Sequence, residues 1–301
     1  MWNDDFHHCA HVALTGRSEA YYGDYQGSAN EFVGLARHGF LFQGQRSAWQ
    51  KQPRGHPALD LKRLRFVSFL QNHDQVANSL AGTRGHLLTS PGRWRALTAC
   101  MLLWPGIPML FQGQEFSSSA PFLFFADYGG ALGKAVANGR REFLSQFPSL
   151  ASAEMQAAID DPTDAATFER SILDHDERGR HREAYALHCD LLSLRKELKV
   201  AEAAAVDAAP LSHEAWLVRY FDEAGADRLL LVNLGRDMVL PTVAEPLMAP
   251  VEDLTWRLRW TSEALSYGGS GTPEPLQDGL WRVQGHAALL FVAERTVSDA
   301  V

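Results

Sequence analysis

Phe66-Val67-Ser68-Phe69-Leu70-Gln71-Asn72-His73-Asp74-Gln75 sets an apolar run directly against a cluster of amide, imidazole and carboxylate groups. A short run of Phe, Val and Leu bounded in this way reads as a buried strand that delivers polar side chains at its C-terminal end. In parallel α/β folds that end of a strand is where sites are built. The same cluster also suits a solvated turn that caps the next helix, so one strand end alone leaves both readings open.

Two further segments repeat the pattern. Phe40-Leu41-Phe42 reads as a short strand running into Gln43-Gly44-Gln45-Arg46, and Ile107-Pro108-Met109-Leu110-Phe111 runs into Gln112-Gly113-Gln114-Glu115, with Pro at the start where a missing N–H is tolerable. Between them lie helical or long loop segments. Trp2 to Thr15 reads as a loop entering a helix whose first turn carries Asp4 and Asp5, and Ser28 with Glu31 forms a capping box on a helix that Gly39 closes. A polar loop holding Pro53, Gly55 and Pro57 is long enough to be a binding loop. After Asp74 a loop continues to Ser90, Pro91 opens a helix, and Trp94 to Trp104 makes it strongly apolar. Three strand ends of one polarity point to an α/β fold, a (β/α) barrel or an open parallel sheet.

The second half changes character. Pro121 to Tyr128 is an aromatic loop that either walls a pocket or packs beneath itself, and the turn Tyr21-Tyr22-Gly23-Asp24-Tyr25 carries the same two readings. Helical segments follow around Glu142 to Phe147 and from Arg182 to Lys199, where Leu187, Leu191, Leu194 and Leu198 share a face. From about Ala201 the period alternates. Trp216–Phe221, Arg228–Leu234, Met238–Val243, Thr255–Trp260, Leu280–Val283 and Ala287–Val292 read as strands separated by turns such as Ala224-Gly225 and Gly268-Gly269, which makes a small antiparallel β-sandwich. The expected division is residues 1–203, a partial barrel with its closing helices, and residues 204–301, the sandwich.

Composition narrows the function classes. A chain of 301 residues, 46% hydrophobic, can bury a large core. A formal charge of -8 without a run of Lys or Arg argues against a nucleic-acid partner. No run approaches the ~18 apolar residues of a membrane span. The N-terminus carries two acids where a signal peptide carries basic residues, so a cytoplasmic location is expected. Cys9, Cys100 and Cys189 lack disulfide or metal spacing and read as reduced thiols, with Cys100 and Cys189 in core-like helical surroundings. His7 and His11 share a helical face, but the HExxH glutamate is absent, so no metal site is expected. Phosphate-binding glycine loops and the GxSxG elbow are absent as well, and no cofactor is expected. Carboxylates, amides, imidazole and aromatic rings remain, the groups that recognise sugar hydroxyls and ring faces.

With those residues assembled, a resemblance is specific. Asn72-His73-Asp74 after an apolar strand is similar to the seventh-strand motif of the α-amylase family of glycoside hydrolases, and Pro105-Gly106-x-Pro108-x-x-Phe111-x-Gly113-x-Glu115 resembles that family's eighth strand. More narrowly, WNDDFHH from Trp2, GFLFQGQ from Gly39, QNHDQVAN from Gln71, PFLFFADY from Pro121 and DPTDAATFERS from Asp161 resemble the trehalohydrolases of that family. The fold this implies is the C-terminal part of a (β/α)8 TIM barrel, strands six to eight, followed by a β-sandwich. The activity implied is hydrolysis of the α-1,4 bond that releases trehalose from maltooligosyl-trehalose, with that or another α-glucan oligosaccharide as substrate.

Carried over by position, the resemblance makes Asp74 the carboxylate that holds sugar hydroxyls and stabilises the transition state, with His73 on a hydroxyl of the same ring. Asn72, Gln75, Asp5, Phe6, His7, Phe124, Phe125, Asp127 and Glu115 are the further substrate-binding candidates. The family commonly shows Gly-Glu-Glu where this chain has Gly113-Gln114-Glu115. The family's nucleophile and acid/base lie upstream of the WNDDFHH motif, which here begins at Trp2, and no Asp or Glu of the chain fits either role by motif. The expectation is a chain that does not release trehalose alone, because retaining hydrolysis needs both groups together. Open strand edges make the first half the expected aggregation-prone part and the sandwich the more resistant one. A branching enzyme of the same family and a noncatalytic sugar-binding remnant are the alternatives.

Overall fold

The computed structural model describes residues 1–295 except 224, 242 and 278. Its helices and strands are, in chain order, α1 (Asp4–Thr15), α2 (Ala29–His38), β1 (Val67–Ser68), α3 (His73–Ala77), α4 (Pro91–Leu102), β2 (Ile107–Pro108) and α5 (Gly130–Leu144). There follow α6 (Ala153–Ala157), α7 (Ala165–Glu169), α8 (Glu177–Arg180), α9 (Arg182–Glu197), β3 (Ala205–Pro210), β4 (Ala215–Phe221) and β5 (Arg228–Asn233). The last elements are β6 (Met238–Leu240), β7 (Leu254–Thr261), β8 (Leu276–Gln277), β9 (Leu280–Val283) and β10 (Ala287–Arg295).

Three parallel segments carry the first half. β1 pairs with β2 through Val67 and Ile107, and Trp2 bridges Val67 in parallel on the other side. Asn3 N–H donates to the Val67 carbonyl at 2.9 Å, and Ile107 N–H donates to that of Phe66 at 2.8 Å. The chain start, rather than Phe40–Phe42, is therefore the strand-like neighbour of β1. The Phe40–Phe42 expectation fails because the Leu41 and Phe42 amides donate to one Asp5 carboxylate oxygen, at 2.7 and 3.1 Å, instead of to a ladder. The expected loop after Asp74 likewise begins as α3.

Local signals place the helices as the residues dictate. Asn3 caps α1 by accepting from Phe6 N–H, and the Ser28–Glu31 capping box opens α2. Gly39 ends α2 with φ +82°, and a Cβ there would stand 2.4 Å from the Phe66 ring, so both conformation and space require glycine. The Arg195 guanidinium, on α9, closes the C-terminal end of α4 by donating to the Leu102, Trp104 and Gly106 carbonyls. Leu187, Leu191 and Leu194 turn inward from α9, whereas Cys189 is exposed, against expectation, because it sits on the solvated face of that helix.

The second half forms two antiparallel sheets, one ordered β3-β4-β5-β10-β7 and the other β6-β9-β8. Leu217, Leu229, Leu231, Leu289 and Phe291 meet Trp256, Trp281 and Val283 in a core of their own. The opposite face of the larger sheet carries Trp216, Val218, Tyr220, Leu230, Val232 and Leu290 into the same core as Phe6, Phe32 and Leu97. Trp216 stacks on Phe32 at 4.2 Å between ring centroids, and the Tyr220 hydroxyl donates to the Leu103 carbonyl at 2.6 Å. Burial on both faces explains why β4 and β5 read as continuous apolar runs. β3 and β8 lie beyond the expected strands. β3 is an alanine-rich edge strand ending in Pro210, where an unpaired N–H position tolerates proline. Ala224 of the expected Ala224-Gly225 turn and Thr242 of the expected Met238–Val243 strand lie outside the described residues.

Among the described residues no helix is long and apolar enough to cross a membrane.

Candidate functional site

β1 ends at Ser68, and the chain stays buried through Phe69, Leu70, Gln71 and Asn72 before it surfaces at His73. Asn72 is the pivot of that emergence. Its side-chain oxygen accepts from the Asp74 and Gln75 amides at 2.9 and 3.1 Å, which starts α3 and fixes the next two side chains. His73 and Asp74 then stand 57% and 63% exposed, with Nε2 3.4 Å from Oδ1. Trp2 packs edge-on against both Phe69 and His73, so the neighbouring parallel segment props the imidazole.

Asp74 and His73 open onto a cleft of about 830 Å³. Its far wall is Phe122–Phe125 from the loop after β2, backed by Arg140 and Phe143 of α5. Arg140 is nearly buried and donates to Asn78 Oδ1 at 2.7 Å and to the Ala77 carbonyl. Its guanidinium lies 4.8 Å from the Phe124 ring centroid and 5.8 Å from that of Phe143. Desolvation pulls it down to about 10, opposed by Tyr21 and Asp74, so it stays charged at neutral pH. The near wall includes Asp4, His8 and Tyr21. Desolvation raises the Asp4 carboxyl above its ordinary range; Arg54 opposes this, and the charges of Asp5 and Asp74 add to it.

The expected residues divide into three groups. His73, Asp74, Gln75, Phe124 and Phe125 come together around the cleft. Gln75 also borders a neighbouring cavity of about 510 Å³. A second group stands behind the cleft. Phe6 has no exposed surface and packs on Phe32 and Trp104, so it is a core residue and not a ligand contact. Asp5 is equally committed: besides the Leu41 and Phe42 amides it accepts from the Tyr25 hydroxyl at 2.5 Å and pairs with Arg54 at 3.2 Å. Asn72 is buried as the cap.

His7 is held by its surroundings in one tautomer. A carbonyl can only accept, so Nδ1–H donates to Leu70 O at 2.8 Å, and Nε2 accepts from the Tyr22 hydroxyl at 3.2 Å. Desolvation, with His11 adding and the Leu70 carbonyl opposing, lowers its pKa to about 3, so the ring is neutral. Its partner in the i, i+4 pair, His11, lies flat on Tyr22 with centroids 4.0 Å apart. The third group is remote. Glu115 faces Arg178 at 3.9 Å, and Asp127 is exposed; neither lines the cleft.

Asp4, His8, Asn78, Arg140 and Phe143 join the cleft without having been expected there. Asp4 had a visible signal, since two consecutive acids head α1, but only the fold shows that Asp5 turns inward and Asp4 outward. Arg140 had none, because only the packing of α5 brings it to the residues after β1.

No family model matches the chain. It is 38% identical to the malto-oligosyltrehalose trehalohydrolase of Deinococcus radiodurans over 244 residues, 79% of this chain and 40% of the relative. The enzyme of the same name from Arthrobacter ramosus is 37% identical over 69% of this chain and 36% of its own length. The chain thus spans about 40% of the length of the curated relatives it matches. Among solved structures, a Salmonella typhimurium protein for which alpha amylase is a suggested function superposes with a TM-score of 0.77 at 28% identity, covering 97% of this chain and 46% of that one. The alpha-amylase of H. orenii superposes with a TM-score of 0.54 at 12% identity, covering 97% and 48%, which is a likeness of fold alone.

Proposed function

The chain is a relative of the malto-oligosyltrehalose trehalohydrolases, and on that premise we propose that its cleft binds the trehalose-bearing end of a malto-oligosyl-trehalose or a similar α-glucan chain. Asp74 accepts hydrogen bonds from two sugar hydroxyls, for which its two carboxylate oxygens have acceptor capacity beside His73, and its negative charge steadies positive charge that develops on the ring during cleavage. His73 binds a hydroxyl of the same ring. Phe124 and Phe125 offer apolar faces, and Arg140 holds that wall in place. The observation that carries this reading is the meeting of an exposed His73–Asp74 pair with the Phe122–Phe125 wall across one cleft.

In the same reading Met1–Asn3, β1 and β2 are the sixth, seventh and eighth strands of a barrel, supported by their parallel order. Residues 1–203 are the barrel part, and 204–301 the sandwich. Asp4 and Asp74 both face the cleft, but neither fits the nucleophile or the acid/base by motif. The chain alone therefore binds and does not cleave. Calorimetric titration with maltotriosyl-trehalose tests this: binding that Asp74→Ala weakens at least tenfold supports it, and an unchanged affinity contradicts it.

A further inference from the structure

Resting on that reading, we propose that Phe168 extends the cleft outward as a stacking position for a further sugar ring of the bound α-glucan. Four aromatic rings run edge-to-face toward solvent from Phe111, three residues past β2. Phe111 meets Phe122 at 4.9 Å, Phe122 meets Phe125 at 5.7 Å, and Phe125 meets Phe168 at 5.1 Å between centroids. Phe122 and Phe125 line the cleft, while Phe168 lies beyond it and is 51% exposed.

The ring is carried by a braced element. Asp164 caps α7 by accepting from Ala166 N–H at 3.0 Å, and the Thr167 hydroxyl donates to the Asp161 carbonyl at 2.8 Å. α7 is tied to the aromatic loop on both flanks: Ala126 N–H donates to the Pro162 carbonyl at 2.8 Å and Leu123 N–H to Ser171 Oγ at 3.0 Å. Phe168 thus keeps its place relative to the cleft wall. An exposed aromatic face matches the apolar face of a pyranose. Continuity with the cleft favours the same glucan as occupant over a second copy of the chain.

The experiment titrates the whole chain and its Phe168→Ala variant with maltotriose and with maltoheptaose, alongside sedimentation of both proteins. Phe168 is exposed, and a Phe168→Trp variant keeps the stacking face if the alanine variant melts early. The expected result is a loss of about three- to tenfold in maltoheptaose affinity on Phe168→Ala, little change for maltotriose, and retention by Phe168→Trp. Equal affinities for maltoheptaose overturn the inference and leave the cleft reading standing. So does an unchanged sugar affinity together with a dimer that Phe168→Ala dissociates, which gives the face to a second copy. If the unaltered chain binds neither sugar, the inference fails, and the titration with maltotriosyl-trehalose alone decides the cleft reading.

Discussion

At the scale of residues, the most informative side chains are those whose polarity misleads. The sequence WNDDFHH displays two acids and two histidines, yet the fold sends Asp4 to the cleft and Asp5 and His7 inward. His7 predicts an acid sensitivity of its own. Unfolded, a histidine takes up a proton near pH 6.5, whereas folded His7 resists until about 3 and His11 until about 4. The unfolded chain then binds more protons, so the stability held above pH 6.5 is lost as pH falls toward those values. Urea midpoints between pH 7 and pH 4.5 should fall less steeply for His7→Gln than for the unaltered chain. Parallel declines would mean that His7 does not drive the loss.

Elements show why some of the fold was legible and some was not. The strand before Asn72 could be read because its apolar run ends abruptly in polar groups, and the capping box at Ser28–Glu31 because both partners lie within one turn. Phe40–Phe42 has the same apolar signature, but the Leu41 and Phe42 amides belong to an aspartate 36 and 37 residues away in sequence, a contact no local pattern records. Alternation also weakens where a sheet is covered on both sides, so β3, with its alanines, escaped a reading built on alternation. Asp5 is accordingly an organiser of the segment after α2. Asp5→Ala, which strands the Leu41 and Phe42 amides and the Arg54 charge, should cost about 3 kcal/mol in urea unfolding. A change below about 0.5 kcal/mol, the scale of an ordinary surface substitution, would contradict that role.

For the whole molecule, the parallel segments and the antiparallel sheets are less separable than a division near residue 203 suggests. Trp216, Tyr220 and Leu230 complete a core begun by α1, α2 and α4, so each part covers apolar surface of the other. That mutual cover gives α1, β1 and α5 fixed positions, and from them follows the cleft between Asp74 and Phe124. Sequence pattern reached the strand end and the aromatic loop separately; their apposition, and Arg140 behind it, depend on packing across the molecule. As proposed, the cleft binds the sugar and Asp74 stabilises charge, while no Asp or Glu of the chain fits the nucleophile or the proton donor by motif. Incubating the purified chain with maltotriosyl-trehalose and measuring free trehalose checks both parts. Bound substrate with no trehalose above the uncatalysed rate is expected; release that Asp74→Ala abolishes would overturn this reading of the cleft.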